Sequence, residues 1–189
     1  MRLKTLPAVD LSPAQKSLFA QMQKEIPPDF TSFQVYNDKG EFMGPWNAWL
    51  HQPEFGNPIW ALSHAVCAKS SLSDRVCQIV ILTVGAKYKA AYELYAHETV
   101  AKKDGFSQHD LDCLLKNTKP KHLSPQEDLA FNMTMALLEG NVLPKPIYDA
   151  AVQEFGDKAV AQIIYLVGFY CLVSITLNAY AIPAPKIKP

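Results

Sequence analysis

An excess of charge of either sign is absent from this chain of 189 residues, in which 18 lysines and arginines balance 18 aspartates and glutamates. Proteins that bind nucleic acids or anionic membranes do so through a basic surface field, which a balanced sequence does not supply. The composition therefore predicts no nucleic acid and no membrane as partner, and favours a small molecule or another protein. With 49% hydrophobic residues, the chain is long enough to bury one core as a single domain.

Paired cysteines are also absent. The four cysteines, Cys67, Cys77, Cys113 and Cys171, form no CxxC motif and have no regular spacing, which excludes a disulfide framework and a zinc site. We expect reduced thiols in a cytoplasmic protein. The first thirteen residues contain no apolar stretch long enough for a signal peptide, which favours the same compartment.

Motifs for several common chemistries are missing as well. The sequence has no GxSxG elbow, no phosphate-binding glycine motif and no HExxH, so serine hydrolase, nucleotide-binding and zinc protease functions have no support. Di-iron bundles repeat a carboxylate and a histidine three residues apart, and this chain has no such repeat. No metal and no cofactor are expected.

What is present is helical patterning. Apolar residues recur at helical spacing, and serines followed by proline or acidic residues mark several helix starts. The pattern predicts an all-α fold, in which residues 45–189 form a single-domain helical bundle and residues 1–44 form a helix and a short irregular arm. The predicted helices cover residues 12–26, 45–50, 58–70, 74–88, 89–103, 107–116, 124–138, 146–155 and 159–182.

Two segments allow an extended interpretation. Residues 34–46 alternate weakly around Asp38 and Gly40, which indicates a turn between extended pieces too short to form a sheet. Residues 79–82, with the sequence IVIL, suit a strand as well as a helix because most of them are β-branched. We favour the helix, since the sequence offers no second strand to pair with it.

The long apolar segment from residue 159 to 182 raises the question of a membrane span. Its length matches the roughly 20 apolar residues that a spanning helix requires, but Gln162, Ser174 and Asn178 place polar groups towards both of its ends. A helix buried in the core or in an oligomer interface explains the segment better. Together with the apolar residues 76–86, it predicts a homo-oligomer.

The most informative stretch is residues 88–98, YKAAYELYAHE, in which Glu93 and His97 are four positions apart. On a helix the two share one face, where a carboxylate can fix the tautomer of an imidazole. We interpret them as a candidate catalytic acid/base pair. The same spacing is also compatible with a surface ion pair or a hydrogen-bonded core histidine. Among the other histidines, only His64 is a candidate second member of a site.

The same stretch carries a family resemblance. Residues 72–107, and the portion AYELYAHE in particular, resemble the core motif of the carboxymuconolactone decarboxylase family in the alkylhydroperoxidase D-like superfamily. GPWNAWLHQPE, residues 44–54, resembles the entry to the family's first core helix, and GFYCLVSITLNAYAIP, residues 168–183, resembles its closing helix. The resemblance implies an alkylhydroperoxidase D-like helical bundle that assembles into a dimer, trimer or hexamer.

The peroxidase branch of that superfamily carries a redox CxxC motif on this helix, with a glutamate one helix earlier and two histidines nearby. The corresponding positions here are Ala90 and Glu93 for the cysteines, Gln78 for the glutamate, Tyr92 for the first histidine and His97 for the retained second one. Without these thiols, thiol peroxidase chemistry requires another reactive cysteine, either Cys67 or Cys77, near His97.

What remains resembles the decarboxylase-like branch, in which YExxxH replaces the cysteines. This implies cofactor-independent acid/base chemistry, decarboxylation or isomerisation, on a small lactone or unsaturated carboxylic acid. In this interpretation His97 donates or accepts the proton, Glu93 orients His97 or shares its proton, and Gln78, Tyr92 and Tyr88 are substrate-binding groups. Two alternatives stay open, a peroxiredoxin-type antioxidant activity and a noncatalytic helical scaffold, and a cavity filled by side chains would favour the scaffold.

Overall fold

The computed structural model describes residues 1–26, 28–68 and 71–185. Within these residues the regular structure is helical apart from one β-bridge between Tyr36 and Phe42, which confirms the predicted all-α class. The α-helices are α1 (Pro13–Glu25), α2 (Gly44–His51), α3 (Pro53–Ser63), α4 (Asp74–Tyr88), α5 (Ala91–Lys103), α6 (Gln108–Leu115), α7 (Pro125–Leu138), α8 (Lys145–Phe155) and α9 (Asp157–Ala179).

Serine caps start four of these helices. The side chains of Ser12, Ser73, Ser107 and Ser124 each accept a hydrogen bond from the backbone N–H three residues on, at the starts of α1, α4, α6 and α7. Such a bond satisfies one of the N–H groups that a helix leaves without a partner in its first turn. Because this signal is local, these four helices begin within one residue of their predicted starts.

Helix α4 lies at the centre of the bundle. It packs against α5, α6, α7 and α9, and Ile79, Val80, Leu82 and Val84 are completely buried. The segment that suited a strand as well as a helix is therefore helical, since four surrounding helices bury every side of it. Lys89 directly follows α4, has φ +53 and caps this helix. The prediction that Lys89 starts the next helix is therefore wrong, since α5 begins at Ala91.

The long apolar C-terminal segment forms α9, which packs against α4, α7 and α8. By length and composition alone, α9 is apolar enough to cross a membrane, but half of its most apolar window is buried inside the protein. Part of its surface is not covered by the described chain. The apolar side chains of Ile164, Tyr165 and Ile175 are exposed there.

The region between α2 and α4 differs from the prediction. Helix α3 starts at Pro53 instead of Pro58, because Pro53 occupies the first turn, where its missing N–H removes no hydrogen bond. Pro58 lies inside α3 and removes only the bond to the carbonyl of the exposed Glu54. A π-helical turn, His64–Ala68, follows α3, and the predicted end of this helix at Ser70 lies outside the described residues.

The N-terminal arm packs on the same core as the bundle. The Tyr36–Phe42 bridge closes the predicted turn, in which the side-chain oxygen of Asn37 accepts hydrogen bonds from the backbone N–H groups of Lys39 and Glu41. Arg2 N donates to the carbonyl oxygen of Tyr180 at 2.8 Å, which ties the start of the chain to the end of α9. The arm thereby covers one end of the bundle. Pro27, at the predicted end of α1, lies outside the described residues.

Candidate active site

Helices α4, α5 and α9 bring three polar side chains around His97. On one side of the ring, Nδ1 lies 2.9 Å from Oε1 of Gln78 on α4. On the other side, Nε2 lies 3.1 Å from Oε1 of Glu93, one turn earlier on α5, and 3.4 Å from the hydroxyl of Tyr170 on α9. Because an amide oxygen only accepts hydrogen bonds, the ring hydrogen belongs on Nδ1, and Gln78 fixes this tautomer.

Glu93 is buried beside the imidazole, with 4% of its surface exposed. With Nδ1 bonded to Gln78, a hydrogen on either Nε2 or the carboxyl group would let the two groups form a hydrogen bond. The approach is close but poorly aligned, since Oε1 of Glu93 makes no hydrogen bond of good geometry to any described residue. Oε1 of Glu93 is therefore an acceptor without a well-aligned donor.

A cavity of about 320 Å³ lies directly beside these groups. Its walls are mainly aromatic, and all three tryptophans of the chain contribute to them. The lining includes Glu93 and His97 together with Trp46, Trp49, Trp60 and Phe169. Its volume is that of a small-molecule site, and its outer part is open to solvent.

A second histidine and a second glutamate line the outer part of this cavity. Nε2 of His64, on the π-helical turn, contacts Oε2 of Glu25 at the end of α1. Both side chains are more than one third exposed, so this pair lies on the solvent side of the cavity, whereas Glu93 and His97 lie on its buried side. The structure thus brings His64, the second candidate from the sequence, to the same cavity.

Tyr92 forms part of the wall and is held by its hydroxyl group. The hydroxyl donates to the carbonyl oxygen of Gln34 at 2.6 Å, and burial raises the pKa of Tyr92 well above its usual value. Gly44, with φ +59, lies against the ring, because a Cβ atom there would come within 2.5 Å of Cε1 of Tyr92. Tyr92 therefore shapes the cavity, while its hydroxyl is already engaged.

Gln78 and Tyr88 do not line the cavity. Gln78 lies 2.9 Å from Nδ1 of His97 and is not part of the lining, so it can orient the ring without touching a ligand. Tyr88 lies at the end of α4, where its side chain interacts with Cys171 and its carbonyl oxygen accepts from Asn178 at 2.6 Å. Four of the five predicted site residues are thus close together, and Tyr88 is separate from them.

Tyr170 and Cys67 extend the polar cluster beyond the predicted residues. The sulfur of Cys67, on the π-helical turn, lies 3.7 Å from the hydroxyl of Tyr170. Burial raises the pKa of Tyr170 well above its usual value and that of Cys67 to about 11. Both groups are therefore protonated at neutral pH. The sequence signal for Tyr170 was its hydroxyl near the middle of a largely apolar helix, whereas nothing local indicated that the π-helical turn brings Cys67 to it.

Metal ligands are not grouped in the part of the chain that the structure describes. No three or more histidine, cysteine, aspartate or glutamate side chains there are close enough to hold an ion together.

Neither a family model nor a curated protein matches this chain. Several solved structures share its fold, among them the following two. A protein of unknown function from Agrobacterium tumefaciens, described as a putative antioxidant defence protein AhpD, has a TM-score of 0.68 at 16% identity and covers 75% of this chain and 97% of its own. An uncharacterized peroxidase-related protein from Silicibacter sp. TM1040 has a TM-score of 0.73 at 17% identity, covering 98% and 92%. The chain therefore has an AhpD-like fold, as predicted.

Proposed function

We propose that this chain catalyses cofactor-independent acid/base chemistry, decarboxylation or isomerisation, on a small lactone or unsaturated carboxylic acid. One observation supports the proposal more than any other. His97 is held by Gln78 on one ring nitrogen, while its other nitrogen lies close to Oε1 of Glu93 beside an aromatic-lined cavity. Proton transfer to carbon requires a positioned donor or acceptor next to the bound substrate.

The residues have distinct roles in this proposal. Loss of CO₂ or of a proton leaves a carbanion that is delocalised onto a carbonyl oxygen, and the protein must stabilise that charge and deliver a proton. His97 and Glu93 hold and transfer the proton. Tyr170, which keeps its hydroxyl hydrogen, can donate a hydrogen bond to Nε2 of His97 or to the developing oxyanion. Gln78 is a positioning residue, because it acts on the ring and not on the ligand.

A peroxide-reducing antioxidant activity is the second candidate, and the position of Cys67 favours it. The sulfur is linked through the Tyr170 hydroxyl to Nε2 of His97, and both structural neighbours have names that refer to antioxidant defence or peroxidases. The protonation state of Cys67 counts against it. A thiol with a pKa of about 11 holds very little thiolate at neutral pH, and the thiolate is the nucleophile that attacks peroxides.

A screen of small lactones and unsaturated acids followed by variants tests the first proposal. We expect His97→Ala and Glu93→Gln each to lower kcat about a hundredfold or more on the substrate found. Glu98→Gln is the matched control, because Glu98 lies on the same helix but pairs with Lys102 at the surface. Full turnover by His97→Ala would show that the role assignment is wrong.

The role of Gln78 requires a measurement that distinguishes its effect on the orientation of His97 from an effect on folding. Nitrogen chemical shifts of the His97 ring report which nitrogen carries the hydrogen. We expect a single Nδ1–H tautomer in the parent protein and a mixture in Gln78→Leu, because the amide acceptor is lost. An unchanged tautomer in Gln78→Leu would contradict this role.

A further inference from the structure

The charged side chains of the cavity are already paired with one another. Glu93 lies 3.1 Å from His97, and Glu25 contacts His64. Each imidazole that faces the cavity therefore has a glutamate beside it, although Oε1 of Glu93 and Nε2 of His64 make no hydrogen bond of good geometry to any described residue. Over residues 1–26, 28–68 and 71–185, no lysine or arginine contributes to the lining. A carboxylate on a ligand would thus meet two glutamates and no uncommitted cation, and burying an unpaired charge is costly.

The polar groups that remain without a partner suit a different kind of ligand. Oε1 of Glu93, which is buried, and the indole Nε1–H of Trp49 make no hydrogen bond to any described residue. Both residues line the cavity. Buried polar groups normally have partners, and a small movement of either side chain towards the cavity would let a ligand supply one. A carbonyl oxygen can accept from the indole N–H, and a carbon-bound hydrogen next to that carbonyl gives Glu93 a proton to remove.

We infer that the substrate enters this cavity as an uncharged, unsaturated lactone or ketone, and that the reaction is the isomerisation of its double bond rather than loss of CO₂. The inference rests on the proposed function and narrows it. Decarboxylation requires a substrate that brings its own carboxylate into the site, which the charge distribution disfavours. An aromatic wall, in contrast, matches a flat unsaturated ring without charge.

The isomerisation is balanced without any co-reactant. Glu93 accepts a proton from the carbon between the carbonyl group and the double bond. The electron pair of the broken C–H bond forms a dienolate, with the negative charge on the carbonyl oxygen. The carbonyl then re-forms, the double bond moves next to it, and the far carbon takes the proton back from Glu93 or from His97. Substrate and product have the same atoms, and Glu93 and His97 return to their starting state.

Ligand charge can be tested with one matched pair of lactones. The probes are β-angelica lactone and its carboxymethyl counterpart, in which a carboxylate replaces one methyl hydrogen. Binding is followed by tryptophan fluorescence, excited selectively over tyrosine, which reports on the cavity because all three tryptophans line it. We expect the carboxymethyl lactone to bind about tenfold more weakly or worse, as Coulomb repulsion from Glu93 predicts.

Two variants test whether Glu93 causes the difference in affinity between the two lactones. Glu93→Gln should reduce the difference in affinity to about threefold or less, because it removes the carboxylate that repels the charged lactone. Glu98→Gln should leave the difference in affinity unchanged. Circular dichroism checks that each variant is folded. Equal or tighter binding of the carboxymethyl lactone by the parent protein would overturn the inference. So would an unchanged difference in Glu93→Gln, or no binding of either lactone.

Turnover distinguishes this inference from the proposed function. The conversion of α-angelica lactone into its conjugated β isomer is followed by the absorbance of the product. Selective binding of the uncharged lactone with no conversion of any lactone or unsaturated acid would refute the proposed function and leave the ligand class intact. Decarboxylation of a carboxylated lactone, with weak binding of the uncharged one, would overturn the inference alone.

Discussion

The ion pair between Arg75 and Glu127 joins α4 to α7 and supports the helix that carries Gln78. Nε of Arg75 lies 2.5 Å from Oε1 of Glu127, and the guanidinium stacks over the ring of Phe106 at 3.9 Å. The other carboxylate oxygen accepts a hydrogen bond from the backbone N–H of Ser124. Arg75→Met keeps an apolar side chain against Phe106 but leaves the carboxylate without its cation.

The cost of this change follows from the burial of the two partners. Removing one member of a fully buried pair costs about 3–5 kcal/mol, since the other charge is left uncompensated. The Glu127 side chain is only 8% exposed, but that of Arg75 is 32% exposed, and Ser124 still donates its hydrogen bond. We therefore expect the free energy of unfolding to fall by about 2–3 kcal/mol at pH 7, which lowers Tm by about 5–10 °C in a chain of this size.

The pH dependence gives the sharper test. Burial alone would raise the pKa of Glu127, but hydrogen bonds from Arg75 and Ser124 outweigh it and lower that pKa. A carboxylate whose pKa is lower in the folded state stabilises the protein above its unfolded pKa, and this stability is lost as the pH falls through the folded pKa. The cost of Arg75→Met should therefore be largest near pH 7 and shrink below about pH 4, the range in which an ordinary glutamate is protonated.

Urea unfolding measures this cost at pH 7 and below about pH 4. The proteins compared are the parent, Arg75→Met, Glu127→Gln and the double variant, which together give the coupling energy between the two residues. Lys145→Met is the control, because the pair of Lys145 with Asp149 is largely exposed and should contribute less than about 1 kcal/mol. An Arg75→Met cost that is the same at both pH values, or no larger than that of Lys145→Met, would refute the reasoning.

Three further predictions concern other parts of the molecule. Gly44→Ala should destabilise the protein by about 2 kcal/mol or more in urea unfolding, because the new methyl group clashes with the cavity wall, whereas Gly140→Ala, at a similar φ but in open space, should cost less. Cys67 should react slowly with a disulfide reagent at pH 7 and faster as the pH rises towards 11, and fast consumption of peroxide that depends on Cys67 would contradict this. The exposed apolar face of α9 should mediate self-association, so Ile175→Asp should sediment as a smaller species and Val142→Asp as the parent does, and a monomeric parent at micromolar concentration would disprove it.

The sequence predicted those features that depend on neighbouring residues. The serine at Ser73 and the acidic residue after it define the start of α4 without reference to any other part of the chain. The spacing of Glu93 and His97 likewise places both on one face of a helix, and the structure has them 3.1 Å apart. Both predictions rest on local geometry, which a single sequence contains in full.

The features that the sequence did not predict depend on tertiary packing. Tyr170 is 73 positions from His97, and only the packing of α9 against α5 brings them together. The π-helical turn at His64–Ala68 has no strong local signal, yet it brings Cys67 to the Tyr170 hydroxyl. Tyr88 lies on the same helix as Gln78 and is close to Glu93 in sequence. It lies at the other end of α4, however, where it contacts Asn178, so closeness in sequence does not place Tyr88 beside His97.

The arrangement around His97 offers a physical explanation for a glutamine instead of a glutamate at position 78. A glutamate there would place a carboxylate at Nδ1 of His97 while Glu93 lies at Nε2. Two negative charges on opposite sides of the ring would hold it as an imidazolium and retain the proton. Gln78 gives the same orientation through a neutral acceptor, which suits the proton transfer that we propose for His97 and Glu93. The proposed function therefore agrees with the absence of a carboxylate at this position.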